Sequence, residues 1–319
     1  IATADNAATV ANNDYVAQSL TGQTIPAGSS SYPFSVLVNG DTAVESTETF
    51  FVNVTNVTGA TLVDGQGLGT IENDDAVAIT PIHDIQGNGA TAAAGTFTVE
   101  AIVVGDYQTQ GSGQLRGFFI QEEDADVDAD PATSEGIFVF CTTCPVAVTV
   151  GDKVRVTGAS SEFFNMSQLT ASTVESVSVL SSGNSLPTPA TVDLPVPGVP
   201  NGDLAAATAA INAYFEPLEG MLVTFPDTLS VSEYFELARY GQVILTEGGR
   251  PHTFTAVNTP SAAGFIDNEI DLARRTVILD DTDNRQNRPS DAPNTPYYHP
   301  VPGLSTGNFF RGGGTINNL

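Results

Sequence analysis

The sequence predicts an all-β protein built from successive modules, and three observations carry that expectation. Its apolar runs are short, rich in Val, Thr, Phe and Ile, and bounded by Gly, Asn, Asp and Pro. Runs of this kind recur along most of the 319 residues. Only one segment, 203–215, breaks the texture: it is Ala-rich, opens on the capping residue Asp203 and stops before Pro217, so it predicts a single short helix. Short apolar runs flanked by turn residues read as strands, and many at regular spacing suggest sandwiches or barrels.

Taken in order, the first strands are expected at 32–38 and 48–55, and the acidic run Glu72-Asn73-Asp74-Asp75 closes a first module, 1–76. A second module, 77–182, carries five expected strands at 96–103, 117–121, 136–140, 153–157 and 174–180. Five is the strand count of an oligonucleotide/oligosaccharide-binding (OB) barrel. The Pro- and Gly-rich run 181–202 then reads as a semi-rigid linker or a long crossover. The third module, 183–319, holds the helix and expected strands at 220–225, 228–232, 242–246 and 276–279, and predicts a second OB-like barrel. Its last residues, 312–319, read as a turn leading into a strand.

Charge narrows the partners. Lys and Arg number 10 against 37 Asp and Glu, for a formal net charge of −27, and residues 1–80 contain no cation at all. A polyanion of this size repels itself unless cations intervene, and it repels nucleic acid. It fits a surface adapted to salty or divalent-rich water, a set of specific metal sites, or both. No apolar stretch approaches the roughly 18–20 residues of a membrane helix. No signal peptide is visible, and a chain opening on Ile1 is expected to be a mature product or a fragment. The only cysteines, Cys141 and Cys144, lack the second pair a four-ligand zinc site needs. They follow a strand-like run and precede Pro145, a setting that suits a local disulfide in an oxidising compartment better than a redox helix.

Carboxylates fall in two loop-like groups. In the first module Asp14, then Asp41, Glu45 and Glu48, then Asp74 and Asp75 would converge if their loops share one end of a sheet. Calcium takes six to eight hard oxygens of this type, although separate solvated turns would show the same residues. In the second module Asp124, Asp126, Asp128, Asp130 and Glu135 occupy positions 1, 3, 5, 7 and 12 of a twelve-residue window, the spacing of an EF-hand loop. Ala129 stands where the EF-hand needs Gly, Pro131 follows, and the flanks read as strands. That leaves a non-helical calcium loop or a solvated acidic hairpin.

Four ordered motifs in residues 1–75 resemble a Calx-β domain: Asp14-Tyr15, Ile25-Pro26-Ala27-Gly28, Asn39-Gly40-Asp41 with Glu45 and Glu48-Thr49-Phe50, and Gly67 through Asp75. The resemblance implies an immunoglobulin-like sandwich with Ca2+ at one end, held by Asp14, Asp41, Glu45, Asp74 and Asp75, with Glu48 as a further candidate. The family's opening strands are missing before Ile1.

A second resemblance spans about residues 80–319. It rests on Ile82-His83-Asp84-Ile85-Gln86-Gly87, Gly117-Phe118-Phe119-Ile120-Gln121, Ser134 through Val139, Val150 through Gly158, Glu219 through Val223, Arg239-Tyr240-Gly241 and Ile278-Leu279-Asp280-Asp281. These are similar to the non-catalytic OB-like region of secreted ExeM/NucH-type nucleases. The resemblance implies that this region continues past Leu319, where an endonuclease/exonuclease/phosphatase domain would follow.

No catalytic motif of that class appears in the chain, and His83, His252 and His299 lie in scattered positions. Barrel aromatics such as Phe118 and Phe119 would stack bases or simply pack the core, while Arg116, Lys153, Arg155 and Arg239 are the candidate phosphate contacts. The other basic clustering, Arg274-Arg275 with Arg285 and Arg288, lies beside Asp280, Asp281 and Asp283. The expected function is a calcium-binding, non-catalytic accessory segment of an extracellular nuclease-like protein that positions or binds DNA. The alternative is a structural or adhesive extracellular protein that assembles by strand addition into a homo-oligomer or calcium-stabilised filament.

Overall fold

A computed structural model describes residues 1–108, 115–171, 173, 176–283, 286, 307, 311–316 and 319. It divides the chain into two units, Ile1–Ala78 and Ile79–Leu319.

The first unit is built on an antiparallel sheet of β1 (Ala2–Ala4), β2 (Glu48–Asn53) and β3 (Gln66–Ile71), with β2 in the middle. Its small core joins Ala8, Tyr15 and Phe50, the two rings stacked at 4.7 Å. Phe50 lies opposite Gly69 in the ladder, and a β-carbon on Gly69 would sit 2.3 Å from the Phe50 ring, so the glycine makes room for the aromatic. The strand expected at 32–38 forms no ladder among the described residues; Val38 makes an isolated bridge to Tyr15. Pro33 removes one ladder donor from that short run.

The second unit opens with α1 (Ile82–Gln86) and a closed barrel. β4 (Thr96–Asp106), β5 (Gly117–Gln121), β6 (Gly136–Phe140), β8 (Met166–Thr170) and β7 (Lys153–Phe163) pair in that order, and β4 pairs with β7 to close the ring. Only the β6–β8 pairing is parallel within the ring. Alternation along the strands supplies the filling: Val99, Ala101 and Val103 from β4, Phe118 and Ile120 from β5, Ile137 and Val139 from β6, Val154 and Val156 from β7, and Leu169 from β8. Ile82 and Ile85 of α1 join the same cluster, fully buried. The cysteines are bonded to each other directly after β6, with Cys141 in the core.

The fifth ring strand is not the one expected at 174–180. Val174 and Glu175 lie outside the described residues, and β9 (Val177–Ser181) pairs with β7 outside the ring. The ring instead takes β8, whose sequence Met-Ser-Gln-Leu-Thr is too polar to register as a strand.

The rest of the unit holds β10 (Ala190–Thr191), α2 (Leu204–Phe215), a short 3-10 turn, β11 (Val223–Thr224), β12 (Leu229–Glu233), α3 (Leu237–Tyr240), β13 (Val243–Glu247), α4 (Phe254–Val257), α5 (Ala262–Ala273), β14 (Thr276–Leu279) and β15 (Thr315–Ile316). The helix expected at 203–215 forms, and the Asp203 carboxylate accepts from the Ala205 and Ala206 amides as its N-cap. The expectation of one helix is corrected by α5, which has 12 residues like α2. Gly264 and Asn268 weaken its sequence signal, and Ile270 alone marks its buried face. The expected second barrel is corrected as well: among the described residues the order is β14-β13-β12-β15, an open antiparallel sheet. Its core, including Leu229, Val231, Val243 and Leu245, is shared with Ala207 of α2 and Ile270 of α5.

The barrel and this second core meet at the start of β6. Ser134 Oγ donates to the Glu219 carbonyl at 2.6 Å, and the Leu222 amide donates to Gln121 Oε1 at 2.8 Å.

Candidate cation sites

In the first unit, Asp14, Glu45 and Glu48 offer carboxylate oxygens that lie within 4.8 Å of one another. Glu48 starts β2, Glu45 lies in the loop before it, and Asp14 precedes the core residue Tyr15. The Thr9 amide donates to Asp14 Oδ2 at 2.6 Å and fixes that side chain. Burial, and then the neighbouring Asp14 and Glu45 carboxylates, raise the Glu48 pKa. Asp41, Asp74 and Asp75 are not in this group. The Ala43 amide donates to Asp41 within its own turn. Asn73 holds the 73–75 run beside Glu45: it accepts from the Glu45 amide at 2.9 Å and donates to the Asp75 carbonyl at 3.1 Å. The donors are all hard oxygens, a set that suits calcium, and they supply three of the six to eight it takes.

The acidic loop between β5 and β6 does not gather its five predicted ligands. Asp124 accepts from the Thr188 amide and hydroxyl, both at 2.7 Å, and this partnership lowers its pKa. Asp128 accepts from the Asp130 amide and the Thr133 hydroxyl, and Asp130 accepts from the Ala132 amide. Asp126 is exposed. The amide contacts of Asp128 and Asp130 are the local side-chain-to-backbone turns that Asp favours, whereas Asp124 is held from 64 residues away.

Glu135 turns the other way, into a cluster that sequence reasoning missed. Glu122, Glu135 and His83 lie within 4.8 Å of one another at the mouth of the β5–β6 hairpin. His83 Nδ1 is 2.9 Å from Glu135 Oε2 and 3.6 Å from Glu122 Oε2. Burial alone would lower the His83 pKa; the hydrogen bond and charge of Glu135, with the Glu122 charge, outweigh it and raise it. Burial pushes the Glu122 carboxyl up to about 7, against the opposing hydrogen bond from the Ile82 amide. The signal was present as a symmetry: Glu122 directly follows β5 and Glu135 directly precedes β6, so any hairpin pairing of those strands sets them face to face.

The candidate phosphate contacts are engaged within the protein. Lys153 pairs with Glu123, and this contact raises its pKa. Arg155 pairs with Glu100, which lies opposite it on β4. Arg239 sits 3.8 Å from Glu236, with its guanidinium carbon 4.9 Å from the Tyr240 ring centre. The guanidinium carbon of Arg116 lies 5.3 Å from the Phe140 ring centre. Arg274 and Arg275 both pair with Asp271, while Arg285, Arg288 and His299 lie outside the described residues. Phe118 is buried in the barrel, and Phe119 packs against Phe138 and Tyr107. No protein family, no curated protein and no solved structure matches the chain.

Proposed function

We propose that the chain is a calcium-binding, non-catalytic accessory segment of a secreted nuclease-like protein, and that it positions a neighbouring domain rather than gripping DNA itself. The carrying observation is the convergence of Asp14 on Glu45 and Glu48, residues that the Calx-β resemblance singles out. Three crowded carboxylates in a unit without a single Lys or Arg favour a bound cation. The ring order β4-β5-β6-β8-β7 with one parallel pair supports the OB-like reading of the barrel. The ion pairs of Lys153 and Arg155 favour positioning over direct DNA contact.

The test is a thermal melt of the full chain with and without millimolar Ca2+, with Mg2+ as control. A ligand at a hundred times its Kd adds about 2.7 kcal/mol per site. A rise specific to Ca2+ that Glu48→Gln abolishes is expected. No rise, or an equal rise with Mg2+, would overturn the calcium reading.

A second reading, assembly into a polymer, draws on the edges of the first unit. Among the described residues β1 and β3 are edge strands, and Leu68 on β3 is 62 % exposed. Exposed edges with apolar side chains invite strand addition. Light scattering across calcium concentrations checks it: growth in mass with calcium supports assembly, and a monomer throughout rejects it.

A further inference from the structure

Glu122 and Glu135 face one another across the last rung of the β5–β6 hairpin. The ladder pairs Gln121 with Gly136, and one step further the Glu122 amide donates to the Glu135 carbonyl at 3.0 Å. Both side chains are buried, at 5 % exposure each. Like charges opposite each other on a ladder are unfavourable, and buried carboxylates demand compensation. One imidazolium could neutralise only one of them.

The two carboxylates are held in the same way. Each has one oxygen fastened by a backbone amide: Ile82 donates to Glu122 Oε1, and Asp128 donates to Glu135 Oε1 at 3.1 Å. Each turns its second oxygen towards His83 Nδ1. Glu122 Oε2 is buried and, among the described residues, accepts no hydrogen bond. A buried carboxylate oxygen held at the centre of the cluster without a donor is expensive unless something else occupies its lone pairs.

We infer that His83, Glu122 and Glu135 form a binding site for one first-row transition-metal dication, of which Zn2+ is the reference. The donors would be His83 Nδ1 and the Oε2 atoms of the two glutamates. Metal–ligand bonds of about 2.0–2.1 Å in a tetrahedron set donors about 3.3 Å apart. The observed Nδ1–oxygen separations of 3.6 and 2.9 Å bracket that spacing. Two carboxylates balance the dication, and the imidazole stays neutral. The imidazole also sets the metal class, because Ca2+ and Mg2+ prefer oxygen donors alone. The backbone amides on the outer oxygens supply the orienting contacts that metal-bound carboxylates use.

The ion would tie α1 to the hairpin mouth. Because Ile82 and Ile85 of α1 are part of the barrel core, the metal would stabilise that end of the barrel. The inference shares no residue with the Asp14, Glu45 and Glu48 site on which the calcium reading rests, and either stands without the other.

The competing account is a buried ion pair in which a proton does the work of the metal. Chelator-treated full-length chain, titrated with Zn2+ by calorimetry and with Co2+ by visible absorption, separates the two. One Zn2+ per chain is expected, with a Kd of about 1 µM or tighter, and Co2+ should show the intense visible bands of a four-coordinate site. His83→Gln and Glu122→Gln should each weaken Zn2+ at least about 100-fold, the upper end of what losing even an outer contact costs. Glu48→Gln should leave Zn2+ affinity unchanged, and excess Ca2+ should not displace Zn2+. Failure of the wild-type chain to bind Zn2+ or Co2+ below about 100 µM overturns the inference whatever the variants do. So does binding that His83→Gln and Glu122→Gln leave intact, or displacement of Zn2+ by equal Ca2+.

Discussion

Gly136, the first residue of β6, lies against Gly220 with no side chain between them: a β-carbon on Gly136 would sit 2.5 Å from the Gly220 carbonyl carbon. The contact joins the barrel to the chain that enters the second core, and the Ser134–Glu219 and Gln121–Leu222 hydrogen bonds flank it. Because the clash is with backbone, no side-chain rotation relieves it. Gly136→Ala is therefore expected to destabilise the second unit by about 1–3 kcal/mol, read as a lower urea midpoint at constant slope. Gly89→Ala, where the added atom meets nothing within 4 Å, is the control and should stay within about 0.5 kcal/mol. Equal midpoints for the two variants would mean that the contact yields freely.

Glu219 makes this junction pH-sensitive. Burial pushes its carboxyl up to about 7, although the Ser167 amide opposes the shift. A carboxyl with a raised folded pKa binds more protons folded than unfolded between its ordinary value and about 7. Its contribution is present below that window and is lost as pH rises through it. Glu219→Gln should flatten the fall in melting temperature between pH 5 and pH 7, within the range where the shift acts. An unchanged slope would count against the burial of this group.

Calcium dependence should follow side-chain partnerships rather than acidity. Asp14→Asn is expected to reduce the Ca2+-induced rise in melting temperature. Asp128→Asn should leave it in place, because the Asp128 carboxylate already serves Asp130 and Thr133. Loss of the response in Asp128→Asn instead would move the calcium site to the β5–β6 loop.

Reducing the Cys141–Cys144 bond should cost about 2 kcal/mol on the chain-entropy relation for so short a loop, less than a long-range crosslink would. Denaturation midpoints with and without reductant measure it. No thiol should react in the unreduced, unfolded chain, since both cysteines are bonded.

DNA binding is expected to be negligible at physiological salt. Electrostatic affinity scales with the cations free to displace counterions, and Lys153 and Arg155 are paired with glutamates on a strongly acidic chain. Mobility shift with single- and double-stranded DNA at graded salt checks this, and tight binding at about 150 mM would restore a direct DNA-gripping role.

Sequence pattern revealed the barrel where strands bury both faces. The runs at 117–121 and 136–140 match β5 and β6 residue for residue, because continuous apolar stretches between turn residues leave little choice of boundary. β8 escaped because Leu169 and Met166 are its only large apolar residues, and its place in the ring depends on a parallel neighbour distant in sequence. The metal cluster escaped for a related reason. His83 is a lone histidine in a short apolar segment, and Glu122 hides at the head of a run with five further acidic residues. Their meeting is a property of register and of where α1 packs. In the first unit the sequence grouped six loop carboxylates, of which Asp14, Glu45 and Glu48 lie close together, while Asp41 accepts from its own turn, a local preference that spacing does not reveal.

The β4–β7 closure bears on how the chain is born. During synthesis Ile102 must wait for Lys153, and Thr96 for Ala159, before the ring can seal. At about 5–20 residues per second that delay lasts several seconds. The two sides of β4 are not equally late: Ile102 meets Gln121 of β5 well before β7 emerges. The nascent barrel therefore begins as a curved ribbon with one open flank, and every strand of the first unit has left the ribosome before that flank exists.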